Sequence, residues 1–205
     1  MNFDEKARNW DKDPDRAARA AAFAAEIERI SGNRQFSKAL EFGSGTGNVS
    51  IQLQDCCNSI TLADNSEGMI RVMKEKLADL KISAMNPFLI TESNPLTGLG
   101  GFDLVFTLLT LHHVYDIDKV FSEFHKILKK DGLVFIGDLI TEDGSFHFRD
   151  PEFDGHKGFE VSELGKLLKK NGIEPVSDSI FYTIKREHES KIKDYPLFIL
   201  AGRNL

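Results

Sequence analysis

Short apolar runs alternate with amphipathic stretches across residues 36–140, and this alternation limits the fold more than any other feature. The runs at 39–42, 60–63, 87–90, 102–108 and 133–136 are too short for helices and read as buried strands. Between them, 48–54 places Val49 and Leu53 inward, and 66–80 repeats Met69, Met73, Leu77 and Leu80 at helical spacing. A third stretch carries Val120, Phe121, Phe124, Ile127 and Leu128 on one stripe. Ser66 is placed to cap the second of these helices. Upstream, Asp13-Pro14 opens an Ala-rich helix that Gly32 closes. Downstream, a helix over 162–170 stops at Asn171-Gly172. Two late runs, 180–184 and 197–201, have no helix between them and so predict an antiparallel pair. The expected fold is α/β: a three-layer α/β/α sandwich around a Rossmann-like, seven-stranded, mostly parallel sheet with an antiparallel last strand. A single domain is expected, with a helical cap at 1–35, a core at 36–140, a loop segment at 141–160 and a C-terminal helix and strand pair at 161–205.

Function begins at Glu41-Phe42-Gly43-Ser44-Gly45-Thr46-Gly47, where the first strand turns into its helix. Glycines there let the backbone turn sharply and let a ligand approach without meeting Cβ atoms. The second strand ends in Asp64, 17 positions after Gly47. Neighbouring strands of an open sheet end at one crevice, so Asp64 is expected beside the glycine loop as an acceptor for ribose hydroxyls. A dinucleotide fingerprint wants a further glycine where this chain has Asn48. Glu41 would repel a pyrophosphate but not an aminoacyl sulfonium. These two residues favour S-adenosyl-L-methionine over a nicotinamide cofactor.

The chain resembles class I S-adenosylmethionine-dependent methyltransferases, in the small-molecule group that includes the quinone-biosynthesis enzymes. The resemblance rests on Leu40-Glu41-Phe42-Gly43-Ser44-Gly45-Thr46-Gly47 and on Leu62-Ala63-Asp64-Asn65-Ser66-Glu67-Gly68-Met69. It extends through Phe102-Asp103-Leu104-Val105-Phe106-Thr107 to Leu111-His112-His113-Val114, and to the turn at Leu128-Lys129-Lys130-Asp131-Gly132-Leu133. At that turn the family usually has Pro-Gly, and this chain has Lys130-Asp131-Gly132. The resemblance implies that Glu41, Gly43, Ser44 and Gly45 line the methionine end of the cofactor and Asp64 holds the ribose. It also implies that Asn65 and Met69 flank the adenine and Leu108 lies near the methionine. The acid the family places after its third strand is replaced by Thr91, with Glu92 following, and these two stand as the adenine-amine candidates.

His112 and His113 follow the fourth strand, and His113 is the candidate general base. His147, His156, Asp138 and Glu142 show no ligand spacing such as H-x-x-x-H, so no metal is expected. Phe146, His147, Phe148, Arg149, Phe153, His156 and Phe159 crowd the 141–160 segment. It reads either as a substrate lid or as a surface loop anchored by its phenylalanines. In the N-terminal region Trp10 and Arg16 are the side chains most able to touch a ligand.

The expected reaction is in-line methyl transfer to a small-molecule acceptor. A non-catalytic module holding the cofactor or its product is the alternative. With 26 basic and 32 acidic residues the net charge is −6, which argues against a nucleic-acid partner. No apolar run approaches a bilayer span, and residues 1–10 do not read as a signal peptide. Cys56 and Cys57 are adjacent and predict no structural bridge. A cytoplasmic setting is expected, and no oligomeric state follows.

Overall fold

The computed structural model describes residues 3–148, 150, 152–188 and 191–205. Seven strands form one sheet: β1 (Ala39–Phe42), β2 (Ile60–Asp64), β3 (Met85–Leu89), β4 (Phe102–Leu108), β5 (Leu128–Leu139), β6 (Ile173–His188) and β7 (Lys191–Asn204). Their order is β3-β2-β1-β4-β5-β7-β6. The first five strands run parallel; β7 joins β5 antiparallel and β6 joins β7 antiparallel.

Alternate side chains of the central strands point to opposite faces, and both faces are covered. Leu104 and Phe106 of β4 and Phe135 of β5 meet Phe23 and Ile27 of α2 (Pro14–Ser31), Val49 of α3 (Asn48–Gln52) and Met73 of α4 (Glu67–Asp79). Val105, Val134 and Ile136 face the other way, onto Phe121 and Phe124 of α5 (Ile117–Ile127) and Leu168 of α6 (Val161–Lys170). The expected three-layer sandwich is therefore the observed one. Strands buried on both faces read as continuous apolar runs, and this is why β4 was legible as one.

Helix boundaries follow the expected caps. Asp13 accepts from the Asp15 N–H at 3.0 Å to open α2, and Gly32 closes it at φ 70°. Ser66 Oγ accepts from the Met69 N–H at 3.1 Å to open α4, and its hydroxyl donates to Asp4 at 2.6 Å. Replacing Ser66 with Ala should lower stability by about 1 kcal/mol, the usual worth of such a cap. The check is a lower urea midpoint at unchanged denaturant slope; coincident curves would discard the cap's role.

Three strands and the N-terminal segment exceed the expectation. β5 starts at Leu128, not 133, because the polar Lys129-Lys130-Asp131-Gly132 stretch is taken up by a register shift opposite Phe102 and Leu104. β6 and β7 are far longer than their apolar centres, since their outer residues mix polar with apolar side chains and form no apolar run. The chain before α2 is also structured: α1 (Phe3–Lys6) and a 3-10 turn over Ala7–Lys12 lie on the sheet's ligand edge. No helix among the described residues is long and apolar enough to cross a membrane.

Candidate active site

In this strand order the direction of winding reverses between β1 and β4, and such a switch point opens a crevice beyond the strands' carboxyl ends. A cleft of about 530 Å³ occupies that place. It is lined by Glu41, Gly43, Ser44, Gly45, Asp64, Asn65, Met69 and Leu108, all expected from sequence, and by His113.

Two glycines shape its floor. Gly43 has φ 68°, and a Cβ there would meet Thr110 Cγ2 at 2.2 Å, so glycine allows the ends of β1 and β4 to touch. Gly45 has φ 54°, and a Cβ would lie 3.4 Å from the Trp10 indole nitrogen. Backbone and indole thus approach closely over an uncluttered loop. Leu109 also adopts φ 52°, an uncommon conformation for a branched residue, while its N–H donates to the Gly137 carbonyl at 2.8 Å.

Asp64 is buried and accepts from the Gly45 N–H at 2.7 Å and the Ser66 N–H at 2.9 Å. Burial raises its carboxyl above the ordinary value, against the pull of those amide bonds. Glu41 lies deeper. It accepts from the Ser50 hydroxyl at 2.5 Å and the Ser50 N–H at 3.2 Å. Burial pushes its pKa up to about 8, and the nearby Asp64 adds to the rise. Ser44 Oγ is buried with no hydrogen-bond partner. An acid poised to ionise, an unsatisfied hydroxyl and a glycine-rich loop are what a polar ligand carrying a positive charge would complete.

The other end of the cleft is aromatic and basic. His112, His113, Phe146, His147 and Arg186 line it. The His112 ring Nδ1 is 2.7 Å from Asp138 Oδ1, a fully buried carboxylate at the end of β5. His147 stacks on Phe153 at 3.6 Å, and His113 meets Phe3 edge-on at 5.2 Å. Burial, with His112 and His147 nearby, lowers the His113 pKa to about 3; burial, with His112 and Arg186 nearby, lowers that of His147 to about 4. Both imidazoles are neutral at pH 7. His113 lines the cleft as expected of a candidate base, and its burial beside His112 and His147 lowers the basicity it has in the empty site.

The described residues of the 141–160 segment fold back over this end. Gly155 sits where a Cβ would meet the His112 carbonyl at 2.2 Å, and the His156 N–H donates to that carbonyl at 2.8 Å. Arg149 lies outside the described residues. At the opposite edge Trp10 carries the Arg16 guanidinium 3.5 Å from its ring centre, and both line the cleft as expected. Asp4 accepts from the Gly68 N–H at 2.7 Å, and Asp11 accepts from Thr46 at 2.6 Å, fastening this N-terminal strap beside the loop.

Two expected residues do not join the site. Thr91 pairs backbone to backbone with Asn94, its hydroxyl accepts from the Asn94 N–H at 3.0 Å, and both Thr91 and Glu92 are exposed outside the cleft. The turn folds them away, and Ile90 lines the cleft in their place. Sequence reasoning missed Thr110, Arg19, Phe3 and Arg186. It did not expect His112, His113 and His147 to meet, since loops 34 residues apart bring them together.

The methyltransferase domain family matches residues 40–136. Among curated proteins, an uncharacterized methyltransferase of Schizosaccharomyces pombe is 32% identical over 115 residues, 53% of this chain and 40% of that protein. The mitochondrial arginine-hydroxylase NDUFAF5 of Homo sapiens is 30% identical over 153 residues, 68% of this chain and 42% of that protein. The chain thus spans about half the length, or less, of these two relatives. Among solved structures, the methyltransferase in complex with the Trm112 activator of Haloferax volcanii superposes with a TM-score of 0.77 at 14% identity. That match covers 98% of this chain and 96% of that one, a likeness of fold.

Proposed function

From the match of residues 40–136 to the methyltransferase domain family we propose that the chain transfers a methyl group from S-adenosyl-L-methionine to a small-molecule acceptor. When bound, the sulfonium supplies an activated methyl that an acceptor nucleophile displaces in line, leaving neutral S-adenosylhomocysteine.

In this reading the chain's own residues hold and orient. Asp64 accepts the ribose hydroxyls, Asn65 and Met69 flank the adenine, and Ile90 takes the place expected of Thr91 and Glu92. Glu41 faces the ammonium group, with Gly43, Ser44, Gly45 and Leu108 along the methionine. Trp10 and Arg16 cover the loop from the N-terminal side. Phe146 and His147, as the cleft-lining part of the lid, exclude water from the acceptor end. Holding nucleophile, methyl carbon and sulfur in line can remove about 7–11 kcal/mol of barrier, and this is the main catalytic task left to the protein. An acceptor that arrives already nucleophilic needs no protein base, which suits the weak basicity of His113.

The observation that carries this reading is the pairing of buried Asp64 with the Gly45 amide at 2.7 Å, in a loop whose Gly43 and Gly45 both hold positive φ. Isothermal titration of the purified chain should give one S-adenosyl-L-methionine site per chain, with the product also binding and NAD not. A screen of phenol, amine, thiol and carbon nucleophiles should then give methylated product. Binding without turnover on any class would support the non-catalytic module; no binding would end both readings.

A further inference from the structure

We propose that His112, His113 and His147 bind one divalent transition-metal ion at the acceptor end of the cleft. One nitrogen from each ring lies within 4.8 Å of the others. Around a tetrahedral ion at about 2.0–2.1 Å, nitrogens sit roughly 3.3 Å apart. Drawing the rings from that separation to this spacing is the movement an ion would have to induce. His147 belongs to the lid segment, so binding would also tie the lid to the loop after β4.

Three observations favour a ligating role over simple aromatic packing. The His147 Nε2 atom is buried with no hydrogen-bond partner, and such an orphan costs free energy that phenylalanine would not. His112 turns its Nδ1 to Asp138 at 2.7 Å, which leaves its Nε2 to ligate. A carboxylate behind a ligating imidazole is the usual device for fixing tautomer and ring direction. Asp138 also accepts from the His112 N–H at 3.3 Å, so ring and backbone are held by one group. Finally, the three rings line the cleft, which leaves the ion's remaining positions open to a ligand there.

Imidazole donors suit zinc, iron, nickel and copper, not magnesium or calcium. An acceptor bearing an oxygen or sulfur donor fits the open position, and a metal-bound hydroxyl or thiol loses its proton readily. The proton would pass to solvent and leave the acceptor bound to the ion as a nucleophile; this last step rests on the methyl-transfer reading above.

Cobalt(II) reports the site without any turnover. Chelator-treated chain titrated with cobalt should bind one equivalent at micromolar concentration, with visible ligand-field bands of a four- or five-coordinate ion. His113→Ala and His147→Ala should each weaken that binding at least tenfold with unchanged far-ultraviolet circular dichroism. Asp138→Asn should weaken it about tenfold through misdirection of His112. His125→Ala, at a ring bonded to Asn204 at 2.7 Å, should leave it unchanged. Absence of stoichiometric cobalt, or equal affinity in folded His147→Ala and Asp138→Asn, would overturn the site. S-adenosyl-L-methionine binding, measured separately on metal-free chain, keeps failure of the metal site distinct from failure of the methyl-transfer reading.

Discussion

Asp64→Ala should raise the dissociation constant for S-adenosyl-L-methionine about 100-fold, or ~2.7 kcal/mol. Two losses combine. A charged acceptor for the ribose hydroxyls disappears, and charge-assisted hydrogen bonds are the stronger kind. The Gly45 and Ser66 amides, now bonded to the carboxylate at 2.7 and 2.9 Å, also lose their partner, so the loop is no longer pre-set. Asp64→Asn separates the two. It keeps the size and one acceptor oxygen, so the loop should be partly retained while the charge is gone. Titration calorimetry gives the affinities and thermal unfolding gives the stability. An Asp64→Ala protein that stays folded with an unchanged dissociation constant would remove Asp64 from the site.

The reasons Asp64 was legible in the sequence are the reasons other parts were not. A strand-end acid following a glycine turn is a local pattern, and open-sheet geometry converts that spacing into proximity. The turn at Gly43 and Gly45 and the apolar body of β4 were legible from local pattern, whereas the places of Glu41 and Leu108 came from the family resemblance. Thr91 and Glu92 failed because register alone cannot reveal that Thr91 closes a turn on Asn94. Ile90 replaces them as a result of that turn. The strap over Phe3–Lys12 has no apolar period to read. Its one sequence trace is Gly68 near the start of α4, where a Cβ would meet the Asp4 Cα at 2.7 Å. The histidine cluster draws on loops distant in sequence, and spacing rules built for ligands on one helix miss it. The outer halves of β6 and β7 went unseen because exposed edge strands alternate polar and apolar residues instead of forming runs.

Glu41 carries the second large effect, and its sign runs opposite to the usual carboxylate. In the unfolded chain it loses its proton near 4.5; in the folded chain burial holds the proton until about pH 8. Below about 4.5 both states are protonated and Glu41 adds no pH dependence. Between 4.5 and 8 the folded state binds the extra proton, so stability falls as pH rises, by an order of about 5 kcal/mol across the window. Glu41→Gln should abolish that slope while its amide oxygen still accepts from Ser50. The variant should match the parent near pH 4.5 and exceed it by several kcal/mol at pH 8, read from urea unfolding across the range. Parallel pH profiles for the two proteins would show that Glu41 does not titrate as its burial requires.

Binding of the cofactor should reverse the advantage. A cation placed at Glu41 favours its charged form, so the parent releases a proton on binding and its affinity rises as pH approaches 8. Glu41→Gln should bind more weakly at pH 8 and show no such rise. A residue that destabilises the empty fold yet strengthens binding is what a cation-binding site requires. Equal affinities in the two proteins at pH 8 would separate Glu41 from the cofactor altogether.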